Sequence, residues 1–60
     1  MTLTNLHQVQ KNMTLRGDKG FYTVSSVERK LKNIVVINCQ TNEIQRVKFA
    51  AIRGMEIVKY

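Results

Sequence analysis

Residues 33–49 constrain this chain most. They read Asn-Ile-Val-Val-Ile-Asn-Cys-Gln-Thr-Asn-Glu-Ile-Gln-Arg-Val-Lys-Phe. A β-branched run at 34–37 passes through polar residues to Thr41-Asn42, and an alternating run follows, which is the pattern of a β-hairpin. With Thr41-Asn42 as a two-residue loop, Gln40 faces Glu43, Asn38 faces Gln45, Val36 faces Val47 and Ile34 faces Phe49. Directly opposed residues share a face, so Ile34, Val36, Val47 and Phe49 form a core side. Val35, Ile37, Cys39 and Ile44 share the other side with Arg46 and Lys48, whose stems can lie along aliphatic ground. A one-residue slip would exchange the two faces.

The flanks read as what covers this hairpin. Leu3, Leu6, Val9 and Met13 recur at intervals of three, three and four, which predicts a short helix or helical turn over 4–11, either plugging one open end of a barrel or fraying as a terminus. Thr4 stands as its cap, with His7 where a capping box has Glu or Gln. Residues 16–20, Arg-Gly-Asp-Lys-Gly, read as a turn, because Gly and Asp tolerate positive φ. The Arg-Gly-Asp triplet coincides with the integrin tripeptide, a match short enough to arise by chance. Residues 21–29 read as the first long strand. Val24 and Val27 are three apart there, and a bulge at Ser25-Ser26 restores both to one face and bends the strand. Residues 30–33 form a basic connection with Asn33 at its turn position. Residues 50–54 read as one helical turn ended by Gly54 in the left-handed conformation, and 55–60 as a last strand.

Bulk properties bound the function. Sixty residues make a single domain of marginal stability, burying only about 60% of the surface its unfolded chain exposes. One cysteine and one histidine exclude an internal disulfide and a Cys/His zinc site. A partner or a homo-oligomer is then a natural source of added stability. No basic leader with a long apolar run opens the chain, and the longest wholly apolar run, 34–37, is far too short to span a membrane. With an unpaired thiol, this points to a reducing, cytoplasmic setting.

Catalysis finds little to build on. His7 has no second histidine, Cys39 reads as a strand residue acting as a small hydrophobe, and Asp18, Glu28, Glu43 and Glu56 are scattered. No cofactor or metal site is expected. Ten Lys and Arg against four acids leave a net charge of +6, which favours anionic partners. The binding candidates are Arg16 and Lys19 on the first turn with Tyr22 beside them, Arg29, Lys30 and Lys32 on the second connection, and Arg46 and Lys48 on the neighbouring strand. Side by side they would make one phosphate-directed stripe; scattered, they serve solubility alone.

The order is strand, basic connection, strand, tight turn, strand, helical turn, short strand. With Gly17-Asp18-Lys19-Gly20 before Tyr22-Thr23-Val24, Thr41-Asn42, and 50–54 before Ile57-Val58, residues 14–60 resemble a small SH3-like barrel of KOW and Tudor-type modules. The first turn carries fewer glycines than KOW modules have. Phe21, Tyr22, Phe49 and Tyr60 are the only aromatics, too few for a methyl-lysine cage. The resemblance implies a mainly β fold: a partly open SH3-like barrel of 4–5 antiparallel strands with a short N-terminal helix (1–13) and one helical turn before the last strand. It also implies a non-enzymatic module for DNA or RNA, or for transcription and translation machinery. The alternative is a protein-binding module, such as a phage-type inhibitor docking on an acidic host protein through the apolar face or the 55–60 edge.

Overall fold

The computed structural model describes residues 1–60. The central hairpin forms from β3 (Asn33–Asn38) and β4 (Ile44–Lys48), in a register two residues from the expected one. Ile34 pairs with Val47, Val36 with Gln45 and Ile37 with Ile44. The loop is residues 39–42, and the reason lies in its side chains. A two-residue turn of the hairpin type needs positive φ at both central positions, which β-branched Thr41 resists. Only Asn42 takes it, at φ 61°. Asn38 starts the loop early: its Oδ1 accepts the N–H groups of Gln40 (2.8 Å) and Thr41 (3.2 Å), and its carbonyl accepts from the Asn42 N–H at 2.7 Å. A two-residue offset leaves the faces unchanged. Ile34 and Val36 are buried, and Val47 and Phe49 pack against the core.

Three further strands complete one antiparallel sheet: β1 (Thr14–Gly17), β2 (Gly20–Glu28) and β5 (Glu56–Lys59), in the order β4-β3-β2-β1-β5. β4 and β5 are its two edges, so the sheet is not closed. β2 carries the expected bulge: Val24 pairs with Val36 and Ser26 with Val35, leaving Ser25 as the extra residue. Val24 is fully buried and Val27 packs on the core.

β1 corrects the reading of 16–20 as turn alone. Gly17 and Gly20 pair across the two residues Asp18 and Lys19, so Arg16 and Gly17 belong to a strand whose Leu15 is buried. Gly20 supplies the turn's φ of 119°, whereas Gly17 is needed for space: a Cβ there would lie 3.0 Å from Met55 Cε. Asn33 is likewise corrected. It is a β3 residue opposite Glu28, and the positive φ of the connection falls on Lys32 at 57°.

The expected 4–11 helix is a single 3-10 turn, Leu6–Gln8. Asn5, not Thr4, caps it. Asn5 Oδ1 accepts from the His7 N–H at 3.0 Å, and Gln8 Oε1 accepts from the N–H groups of Thr4 (2.8 Å) and Asn5 (3.0 Å). The apolar spacing nonetheless identified core residues, for Leu3, Val9 and Met13 are fully buried and Leu6 packs beside them. One tight turn followed by extended chain satisfies the same spacing as a longer helix.

This segment also lies along β5. The Leu3 N–H donates to the Met55 carbonyl at 2.7 Å, and the Ile57 N–H donates to the Met1 carbonyl at 2.6 Å. The outer edge of 55–60, expected to be free for another chain, is thus covered at its start by residues 1–3.

α1 (Phe49–Ile52) joins β4 to β5. Gly54, at φ 96°, ends it in the expected left-handed conformation. The buried core is Leu3, Val9, Met13, Leu15, Val24, Ile34, Val36, Ile52 and Ile57, with no buried polar residue. Hydrophobic burial therefore carries the fold without polar constraints in the interior.

Candidate nucleic-acid interface

The antiparallel path puts the β1–β2 turn and the β3–β4 loop at one end of the sheet, where Gly20 approaches the Gln40 side chain. The β2–β3 connection, residues 29–32, lies at the other end beside the start of α1. Two backbone-directed contacts join them. The Phe49 N–H donates to the Lys32 carbonyl at 2.8 Å, and Lys48 Nζ donates to the Leu31 carbonyl at 3.4 Å.

A hollow of about 410 Å³ opens at this junction, lined by Leu31, Lys32, Lys48, Phe49, Ala50 and Arg53. Its lining is half apolar, Leu31, Phe49 and Ala50, and half cationic, Lys32, Lys48 and Arg53, with no carboxylate. Leu31 is 61% exposed at the turn tip, between Lys30 and Lys32. Phe49 is half-buried, one side on the core and one lining the hollow. Neither ion pair of the molecule involves Lys30, Lys32, Lys48 or Arg53.

The other cations of the expected stripe have partners within the chain or stand apart. Arg16 pairs with Glu56 on β5. Arg46 Nε lies 3.2 Å from Glu28 Oε1; that oxygen makes no hydrogen bond, so the contact is ionic only. Arg29 donates to the carbonyls of Leu6 (3.1 Å) and Val9 (2.8 Å), fastening the N-terminal segment to the sheet. Lys19 is exposed on the far turn. Tyr22 packs inward, lining a 170 Å³ apolar groove with Val47, Ile52 and Met55 where the sheet is open between β4 and β5. The eight expected residues therefore do not form one stripe. Lys32 and Lys48 share a hollow, Lys30 shares their turn, and Arg53 joins them.

Sequence reading missed Arg53, having taken it only as part of a helical turn. A signal was available: Phe49 and Arg53 are four apart, and such residues share a helix face.

A second hollow, about 450 Å³, is larger but differs in charge. Arg53 lines this hollow as well as the first, here with Arg16, Asp18 and Glu56, so the signs balance and a free anion gains little.

Cys39 is corrected from strand residue to exposed loop residue, its Sγ 3.4 Å from Thr23 Oγ1. His7 is exposed on the 3-10 turn. No three His, Cys, Asp or Glu side chains gather as a metal site, and no helix is long and apolar enough to cross a membrane. The chain matches no protein-family model, no curated protein and no solved structure.

Proposed function

We propose that this is a small, non-enzymatic nucleic-acid-binding module of a reducing, cytoplasmic setting, and that the hollow at the β2–β3 turn is its phosphate-directed site. The observation that carries this reading is the grouping of Lys32, Lys48 and Arg53 around one hollow without a carboxylate, while Arg16 and Arg46 sit against Glu56 and Glu28. Cations not paired with a carboxylate of the chain are the ones able to release counterions from a phosphate chain. The strand order and the helical turn before β5 support reading the fold as an SH3-like barrel left open between β4 and β5.

The test is titration of a labelled oligonucleotide at rising salt. About three phosphate contacts give a slope of log K against log salt near −2 for a single strand. A protein that binds no oligonucleotide even at about 50 mM salt, where such contacts are strongest, does not have this function.

One observation favours a second reading, docking on an acidic protein. β4 is an open edge, with Ile44 68% exposed, and edge strands can accept an extended segment of another chain. A defined acidic peptide whose binding survives charge reversal at Lys32 and Arg53 but not proline at Arg46 would support it.

A further inference from the structure

The hollow has a feature that phosphate binding leaves unused. Phosphates seek ammonium and guanidinium groups, and the hollow supplies these. They gain nothing from Leu31, Phe49 and Ala50, the apolar half of the lining. Leu31 is the more telling of these. A large aliphatic residue held 61% exposed between two lysines leaves most of its apolar surface in water.

A ligand that satisfies both halves of this lining has a flat apolar face and anionic groups beside it. A nucleotide within a single strand has that form: a base with a face that stacks on aromatic and aliphatic side chains, and phosphates before and after it. In a duplex the bases are stacked and paired within the helix, and only phosphates would meet the hollow.

Resting on the phosphate-directed reading above, we infer that the hollow seats one unstacked base of a single-stranded nucleic acid against Phe49 and Leu31, with Lys32, Lys48 and Arg53 on the flanking phosphates. Single strands are then the preferred ligand class. The preference is tolerant of sequence, since every base has a face to stack and Leu31, Phe49 and Ala50 have no polar side-chain group to read its edge.

Two changes test this, one on each partner. On the ligand, a short thymidine oligonucleotide is compared with an abasic strand of equal phosphate number and with a duplex of equal length. The expected result is an affinity about 5- to 150-fold lower for the abasic strand, the range for one stacked base, and a weaker affinity for the duplex at the same salt. On the protein, Phe49→Leu keeps an apolar side chain against the core and removes the aromatic face. It is expected to weaken the thymidine strand several-fold and leave the abasic strand unchanged. Leu31→Ser, on an exposed turn and outside the core cluster, is expected to weaken the thymidine strand in the same way.

Equal affinity for the thymidine and abasic strands overturns the inference while leaving the phosphate-directed function standing. A polyglutamate chain of equal charge that binds as tightly as the oligonucleotide overturns it too, since no base is then needed. If none of the oligonucleotides binds at low salt, the function itself fails and the inference falls with it.

Discussion

The two four-residue connections that flank β3 are built to the same length and to opposite ends. Residues 29–32 join Glu28 to Asn33, and residues 39–42 join Asn38 to Glu43. Each ends on a residue with positive φ, 57° at Lys32 and 61° at Asn42. The second loop supplies its own hydrogen bonds. Asn38 holds two of its N–H groups, Thr41 Oγ1 accepts from the Glu43 N–H at 3.3 Å, and Asn tolerates the left-handed conformation. The first loop has one internal bond, from the Lys32 N–H to the Arg29 carbonyl at 3.3 Å, and no side-chain support. A lysine stands in the left-handed position, a leucine is exposed, and no side chain of the loop caps its backbone. Instead its carbonyls accept from Phe49 and Lys48. Residues chosen for folding would resemble the second loop. The first departs from local preference where the unpaired cations gather, and such departures concentrate where a surface has another task.

Charge reversal should separate the two loops most widely. Lys32→Glu, Lys48→Glu and Arg53→Glu together are expected to lower oligonucleotide affinity about 100-fold or more at low salt, with a small change in melting temperature. Gln40→Glu with Thr41→Glu, in the other loop, should leave affinity within about two-fold, because those positions lie outside the hollow. A loss from the second variant about one third as large in log affinity, in proportion to its two added negative charges against six, would mean that overall charge, not the hollow, governs binding.

Stability should respond in the reverse pattern. Asn38→Ala removes the acceptor for two loop N–H groups and is expected to lower stability by about 1–2 kcal/mol in denaturant titration. Asn42→Val places a β-branched residue at positive φ, for a loss of about 1–2 kcal/mol. Neither should alter the salt slope of binding.

The smallest effect is the sharpest comparison. Lys32→Asn gives the first loop the second loop's residue at its left-handed position. It is expected to raise stability by about 0.5–1 kcal/mol while reducing the salt slope by about 0.7. A gain in stability with the slope unchanged would remove Lys32 from the interface.

Much of the fold was legible because a few residues have a single good solution. Val24 and Val27, three apart in a strand, require an extra residue between them, and Ser25 is that residue. Gly54 after a run of helix-compatible residues takes the left-handed end. Leu3, Val9 and Met13 were recognisable as core, but not as extended chain, because burial depends on where side chains point and not on a single backbone path. β1 was hidden because four residues are too few to display alternation beside two glycines. The hairpin register was hidden because Asn38 competes with Thr41-Asn42 for the turn through its side chain, and nothing in the alternating pattern registers that competition. Of the site, the charge was legible but its partition was not. Which arginines are neutralised depends on Glu28 and Glu56, far away in sequence, and Arg53 joins Lys32 and Lys48 only through the way α1 folds back.

Ser25 has a consequence for how this chain can change length. It is the extra residue that lets Val24 and Val27, three apart in sequence, point to the same side of β2. Delete it, and the two valines stand two apart, which plain alternation already puts on one face; the ladder becomes regular and the strand loses its bend. Deleting any other interior residue of β2 would turn one side of the cut inside out. A missing residue in the connection at 39–42 would shift only a turn. Position 25 should therefore tolerate a one-residue deletion that its neighbours in the strand do not.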